Sequence, residues 1–201
     1  MRLLIVKLNR ERKKQAKQID ILCNDLIAAQ RDFIKKLNTI NFTANFYESI
    51  IETTDLSGLL YAAVEHIKEE IEDVNVTFFL RQADSFELHM FDSVQPIALL
   101  EQQRLESCFS PELMDDICKS NKLCTLDEMF AMGLQGSLAG LNKFSAVTIP
   151  LGLLGSSLGF ILIYRSSKNK LSPGELSDIA AVTRGFSRAI QARQALLHTA
   201  D

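Results

Sequence analysis

The chain has 201 residues, 47% hydrophobic and 23% charged, with a formal net charge of −3. This is material for one packed core and an ordinary globular balance, which excludes wholesale disorder, a collagen-like repeat and a multi-span membrane protein. Aromatics are 7% with no Trp, so no aromatic platform for sugars or nucleic acid is indicated.

The charge is unevenly spread. Residues 1–36 hold ten Lys/Arg and four Asp/Glu, whereas 37–201 hold twelve and twenty-one. The apolar run 3–6 is too short for a signal-peptide core and its charges follow it, so no secretory leader is expected. Four cysteines, Cys23, Cys108, Cys118 and Cys124, show no C-x-x-C spacing. A cytoplasmic chain with reduced thiols is the reading.

Residues 9–52 read as one long helix. Ile19, Leu22, Leu26, Phe33, Leu37 and Ile40 recur at spacings of three and four, and the heptad seam is best from Ile19 to Phe33. A stripe this long exceeds what a small domain can cover, so these six residues are the expected homodimer interface of an N-terminal segment, 1–44. The alternative is an amphipathic helix folded back on its own domain. Arg10, Arg12, Lys13, Lys14 and Lys17 read as a solvated helix face. A membrane-surface contact by residues 1–17 is the lesser alternative, and no nucleic-acid partner is expected.

Residues 53–58 punctuate the chain, with Asp55 or Thr54 as helix cap, and a second helix is expected over 56–73. The period then changes from 3.6 to 2. Val76, Phe78 and Leu80 alternate with Thr77, Phe79 and Arg81. After an Ala-Asp-Ser turn, Phe86, Leu88 and Met90 alternate with Glu87, His89 and Phe91. This is a hairpin with one apolar face and one mixed face, and the mixed face carries Phe79, Arg81, His89 and Phe91.

Residues 94–143 are least regular. Helices are expected at 98–107 and 111–120, the latter opening on Pro111, and a short strand at 123–126. The charge-poor stretch 129–142 holds Gly133, Gly136 and Gly140 and reads as a mobile segment on an apolar surface. Residues 144–164 carry no charge, yet Pro150, Gly152, Gly155 and Gly159 interrupt them; a buried hairpin is expected rather than a membrane span. A last helix starts at Ser172-Pro173 with Glu175 completing a capping box, and runs over 173–198.

The carboxyl half, FSAVTIPLGLLGSSLGFILIYRSSKNKLSPGELSDIAAVTRGFSRAI, resembles a GAF domain, a small-molecule sensor fold of bacterial signalling proteins. The carrying features are Pro150-Leu151 ending one strand, Leu158-Gly159 opening the next, and Leu171-Ser172 with Glu175-Leu176 starting the final helix. The resemblance covers residues 45–192 and assigns a GAF-like domain to 45–201. It implies an α+β fold with a central antiparallel sheet of five to six strands. Helices 9–52, 56–73 and 173–198 would cover one face, and the irregular helical insert 94–143 the other, roofing a ligand pocket.

Candidate pocket residues are Phe79, Arg81, His89, Phe91, Cys108, Cys124, Phe130, Met132 and Phe144. Asn142-Lys143-Phe144 begins like the cyclic-nucleotide motif of the family, but no Asp-Glu follows. No Cys-His pair of the bilin-binding kind occurs. No catalytic triad, metal spacing or phosphate loop is visible, so no enzymatic activity and no metal are expected, and the cofactor is unassigned. The expected function is a non-enzymatic sensor that binds an unidentified small molecule, dimerises through flanking helices and signals to a separate output protein. The alternatives are a dimerisation scaffold whose pocket is filled by its own side chains, and a thiol redox sensor or enzyme using Cys108, Cys118 or Cys124.

Overall fold

Residues 2–51 contain neither glycine nor proline, and their many Lys, Arg, Gln and Leu residues lose little side-chain freedom in a helix. In the computed structural model they form one helix, α1 (Arg2–Ile51). It begins at Arg2 rather than at residue 9, since nothing in the first turns interrupts it. The structure describes residues 2–83, 85–91, 104–136, 138–153 and 155–198. Two compact units emerge, Met1–Phe42 and Thr43–Asp201. In the first, the large apolar side chains of α1 stand in solvent, Ile19 at 58% and Leu26 at 69% exposure.

The second unit is built on five strands: β1 (Asn75–Gln82), β2 (Ser85–Met90), β3 (Cys124–Thr125), β4 (Phe144–Leu153) and β5 (Ser156–Ser166). Their order is β2-β1-β5-β4-β3, antiparallel at every pairing. β5 takes the centre because 159–165 are buried on both faces, as its unbroken apolar run requires. No described helix is long and apolar enough to cross a membrane. The uncharged stretch 144–164 is instead the β4–β5 hairpin.

One sheet face packs on helices: the end of α1, α2 (Leu56–Glu70) and α6 (Pro173–His198). Phe46, Leu60, Val64, Ile67, Phe78, Ile161, Ile179 and Phe186 are all buried there. Phe186 sits 5.4 Å from Phe46 and 5.7 Å from Phe78, centroid to centroid. Asp55 caps α2, accepting from the Gly58 N–H at 2.7 Å. The helix ends at Glu70, short of the expected residue 73, where Glu69, Glu70, Glu72 and Asp73 oppose the helix dipole.

The opposite face carries a 3₁₀ turn (Leu105–Cys108), α3 (Pro111–Ser120), α4 (Leu126–Ala131) and α5 (Leu138–Leu141). Only the end of the helix expected at 98–107 is described, as that 3₁₀ turn; 98–103 lie outside the described residues. The strand expected at 123–126 is only two residues long, because Thr125 turns the chain by capping α4. Within the stretch expected to be mobile, Met129, Leu134 and Leu141 are buried and the Gln135 N–H donates to the Cys108 carbonyl at 3.1 Å.

Two contacts set the spacing of these layers. At Gly159, φ is +132° and a Cβ would stand 1.9 Å from the Phe79 carbonyl oxygen, so only glycine lets β1 and β5 approach there. At the start of α6, Arg165 (7% exposed) grips both carboxylate oxygens of Glu175 at 3.1 Å and also donates to the Lys170 and Glu72 carbonyls. The capping box predicted for Ser172 and Glu175 is present, with the Ser172 N–H on Glu175 Oε2 at 2.6 Å and the Glu175 N–H on Ser172 Oγ at 3.3 Å.

The β1–β2 hairpin departs from expectation in one respect. Gln82 pairs with Ser85, so two residues separate the paired positions where an Ala-Asp-Ser turn would leave three. Removing one residue from a turn reverses the facing of the whole second strand. Phe86 therefore lies opposite Arg81 and Leu88 opposite Phe79, while His89 lies opposite Phe78 and Glu87 opposite Leu80.

Candidate functional site

The face of the sheet beneath the 3₁₀ turn and α3–α5 is where the elements converge. α3 is placed by the Ser110 hydroxyl, which accepts from the Leu113 N–H at 3.3 Å, with Pro111 at its first position. It buries Leu113, Ile117 and Cys118. α4 is placed by a complete capping box between Thr125 and Glu128, which puts Met129 against the sheet.

At the centre three rings pack together. Phe79 stacks on Phe160 at 4.7 Å, and Phe109 lies 5.1 Å from Phe79 and 5.9 Å from Phe160. Phe86 flanks them, 6.3 Å from Phe160. Arg81 reaches along the margin with its guanidinium 5.2 Å over the Phe86 ring and is ion-paired with Asp115.

Beside the rings lies a buried polar cluster. Glu106 is 8% exposed, and its Oε1 accepts from Thr77 Oγ1 at 2.8 Å and from the Tyr164 hydroxyl at 2.9 Å. Glu106 Oε2 is buried and has no hydrogen-bond partner among the described residues. Burial, and then the charge and hydrogen bond of Glu106, push the Tyr164 phenol well above its ordinary range. The proton therefore stays on Tyr164, which acts as a fixed donor to Glu106 Oε1.

Three of the four thiols, Cys108, Cys118 and Cys124, belong to the hydrophobic cluster around the rings. Cys108, Cys118 and Cys124 are buried and Cys23 is exposed, and all four are free. Burial pushes the Cys108 and Cys118 thiols above the ordinary value, and the Ser107 and Ser157 hydroxyls offset this only in part. Cys124 Sγ sits 3.4 Å from Ser120 Oγ. No grouping of three His, Cys, Asp or Glu side chains suited to a metal ion occurs among the described residues.

The structure brings together only some of the nine candidate pocket residues. Phe79, Cys108, Cys124 and Phe144 belong to the buried cluster, and Met132 packs against it. Arg81 stands at the margin, held by Asp115. Phe130 points away at 41% exposure, because α4 turns Met129 inward instead. His89 and Phe91 are corrected to the helix-covered side. His89 Nε2 is 3.4 Å from Glu87, and Phe91 packs on Tyr61 at 5.9 Å and Phe78 at 6.5 Å. The shorter turn is the cause. Sequence reasoning passed over Thr77, Glu106 and Tyr164; the available signal was a lone Glu between Leu105 and Cys108 in a stretch that otherwise packs.

By sequence, neither a family model nor a curated protein matches the chain. Solved structures do. A GAF domain from a Coxiella burnetii phosphoenolpyruvate-protein phosphotransferase superposes with a TM-score of 0.58 at 14% identity, covering 79% of this chain and 96% of that one. Its counterpart from Acinetobacter gives 0.57 at 12%, with 78% and 94% covered. A candidate GAF sensor protein from Burkholderia vietnamiensis gives 0.56 at 12%, with 79% and 97% covered.

The chain has a GAF-type fold. Its five-strand antiparallel sheet, helices on one face and irregular insert on the other are the expected α+β arrangement. The ring cluster and Glu106 occupy the insert side of that fold. The stripe residues Ile19, Leu22, Leu26, Phe33, Leu37 and Ile40 lie on α1 within the first unit, all exposed.

Proposed function

We propose that this chain is a cytoplasmic, non-enzymatic signalling module of the GAF sensor kind. Two copies pair through the apolar stripe of α1, and the state of the GAF-type unit passes to a separate partner protein. The observation that carries this reading is the stripe. Ile19, Leu22, Leu26, Phe33 and Ile40 are each more than half exposed, and an apolar row at heptad spacing is ordinarily covered by another helix. The same helix ends by contributing Phe46 and Ile50 to the GAF-type core, which gives a mechanical route for small helix shifts.

Glu106 supports a small-molecule ligand at the insert-side face. A ligand carrying an N–H or O–H group satisfies the lone Oε2. A second reading, a dimerisation scaffold without a ligand, is favoured by Phe79, Phe109 and Phe160, which fill the middle of that face. The redox reading has little support, since thiols raised by burial are poor nucleophiles. Thermal-shift screening of a metabolite set against wild type and Glu106→Gln separates the two favoured readings. A compound that raises the wild-type melting point but not the variant's supports the sensor. A light-scattering dimer that no compound shifts supports the scaffold. A monomer at micromolar concentration overturns both.

A further inference from the structure

Between α6 and the adjoining ends of β4 and β5 lies an open groove of about 740 Å³ that reaches Asn121 at the end of α3. α6 supplies one wall. Thr183, Arg184, Ser187, Arg188 and Gln191 are spaced by threes and fours and so share one helix face. Gly152, Ser156 and Asn121 form the facing wall, and Asn121 holds a left-handed turn (φ 46°) that ends α3 there.

The chemistry of this groove is one-sided, because no carboxylate lines it. Arg184 and Arg188 stand one helical turn apart, where like charges are unfavourable, and neither side chain has an ion pair or hydrogen bond among the described residues. The other arginines of the unit are engaged: Arg165 with Glu175, Arg81 with Asp115, Arg193 with the Thr53 carbonyl and Arg104 with Met90 Sδ. The side-chain amides of Asn121 and Gln191 are likewise without partners among the described residues. The Thr183 and Ser187 hydroxyls donate to backbone carbonyls at 2.8 and 2.7 Å, which leaves the guanidiniums and amides as the donors facing the groove.

We propose that this groove binds a phosphate-bearing small molecule. Arg184 and Arg188 grip the phosphate oxygens, and Asn121 and Gln191 hydrogen-bond the remainder. Forked guanidinium donors match phosphate geometry, and the groove falls within the roughly 300–1,000 Å³ range of small-molecule sites. Nucleic acid is a poor fit, since residues 37–201 carry twelve basic against twenty-one acidic side chains and the positive charge here is local. This inference does not depend on the insert-side reading.

Calorimetric titration of the full chain with inorganic phosphate, pyrophosphate and ATP, at about 150 mM salt so that weak surface attraction is screened, tests it. Wild type and a Lys168→Gln control should bind at least one probe with equal affinity. The Arg184→Gln/Arg188→Gln variant should bind at least about tenfold more weakly. That variant should melt at or above the wild-type temperature without ligand, since a like-charge pair has gone. Absence of binding by all three probes overturns the proposal. So does equal weakening in the double variant and the control, or binding of a polyglutamate peptide where the three phosphates fail.

Discussion

At the scale of single residues, Gly159 is the position where the fold has least freedom. Its φ of +132° and the Phe79 carbonyl 1.9 Å from any added Cβ act together. Gly159→Ala should therefore cost about 3 kcal/mol or more. Gly133→Ala, with φ +106° but open space around it, should cost only about 1 kcal/mol. Urea unfolding of the two variants measures the difference, and equal losses would mean that the backbone angle alone matters. The cysteines divide as sharply. Only Cys23 is exposed, and the other three are packed in the core. A thiol reagent such as Ellman's should modify one cysteine per native chain and all four in urea. Rapid native modification of Cys108 or Cys118 would restore a redox role.

At the scale of elements, the Arg165–Glu175 pair ties β5 to the start of α6. Burial alone would raise the Glu175 carboxyl, but the Ser172 N–H and hydroxyl and the Arg165 charge outweigh it and hold it below the ordinary 4.5. A group depressed in the folded state stabilises the protein above its unfolded pKa and loses that effect as pH falls through the folded value. Glu175→Gln should thus destabilise by about 2 kcal/mol at pH 7. The gap to wild type should narrow as the pH drops below 4.5. Urea midpoints between pH 7 and pH 3 measure this, and a constant gap would show that the contribution is not ionic. The cap itself was legible in Ser172-Pro173-Gly-Glu175, because capping is a local hydrogen-bond pattern. The facing of β2 was not. It hangs on one residue in a turn, and alternation alone is satisfied by either facing.

At the scale of the whole molecule, the exposed stripe on α1 makes the oligomeric state the measurement of greatest consequence. Leu22→Asp with Leu26→Asp places charges in the seam. It should turn a dimer into a monomer by light scattering while changing the stability of the GAF-type unit by less than about 0.5 kcal/mol, since both side chains are already exposed in the single chain. A variant that remains dimeric would move the interface elsewhere. The architecture itself was largely readable from the chain: the long helix from its heptads, the central hairpin from Pro150 and its glycines, and the GAF resemblance from 144–190. Those signals are periodic or local, and the physics that produces them acts over a few residues. The candidate pocket was readable only in part. Phe79, Cys108, Cys124 and Phe144 meet, but His89 and Phe91 face away. Glu106 is set into this face only because Thr77, from a strand 29 positions earlier, and Tyr164, 58 positions later, close on it. The sequence by itself determined the elements, their caps and their class of fold. Only the tertiary structure decided which side chains share a face and which buried polar groups find partners, because those outcomes depend on strand register and on contacts between residues far apart in the chain.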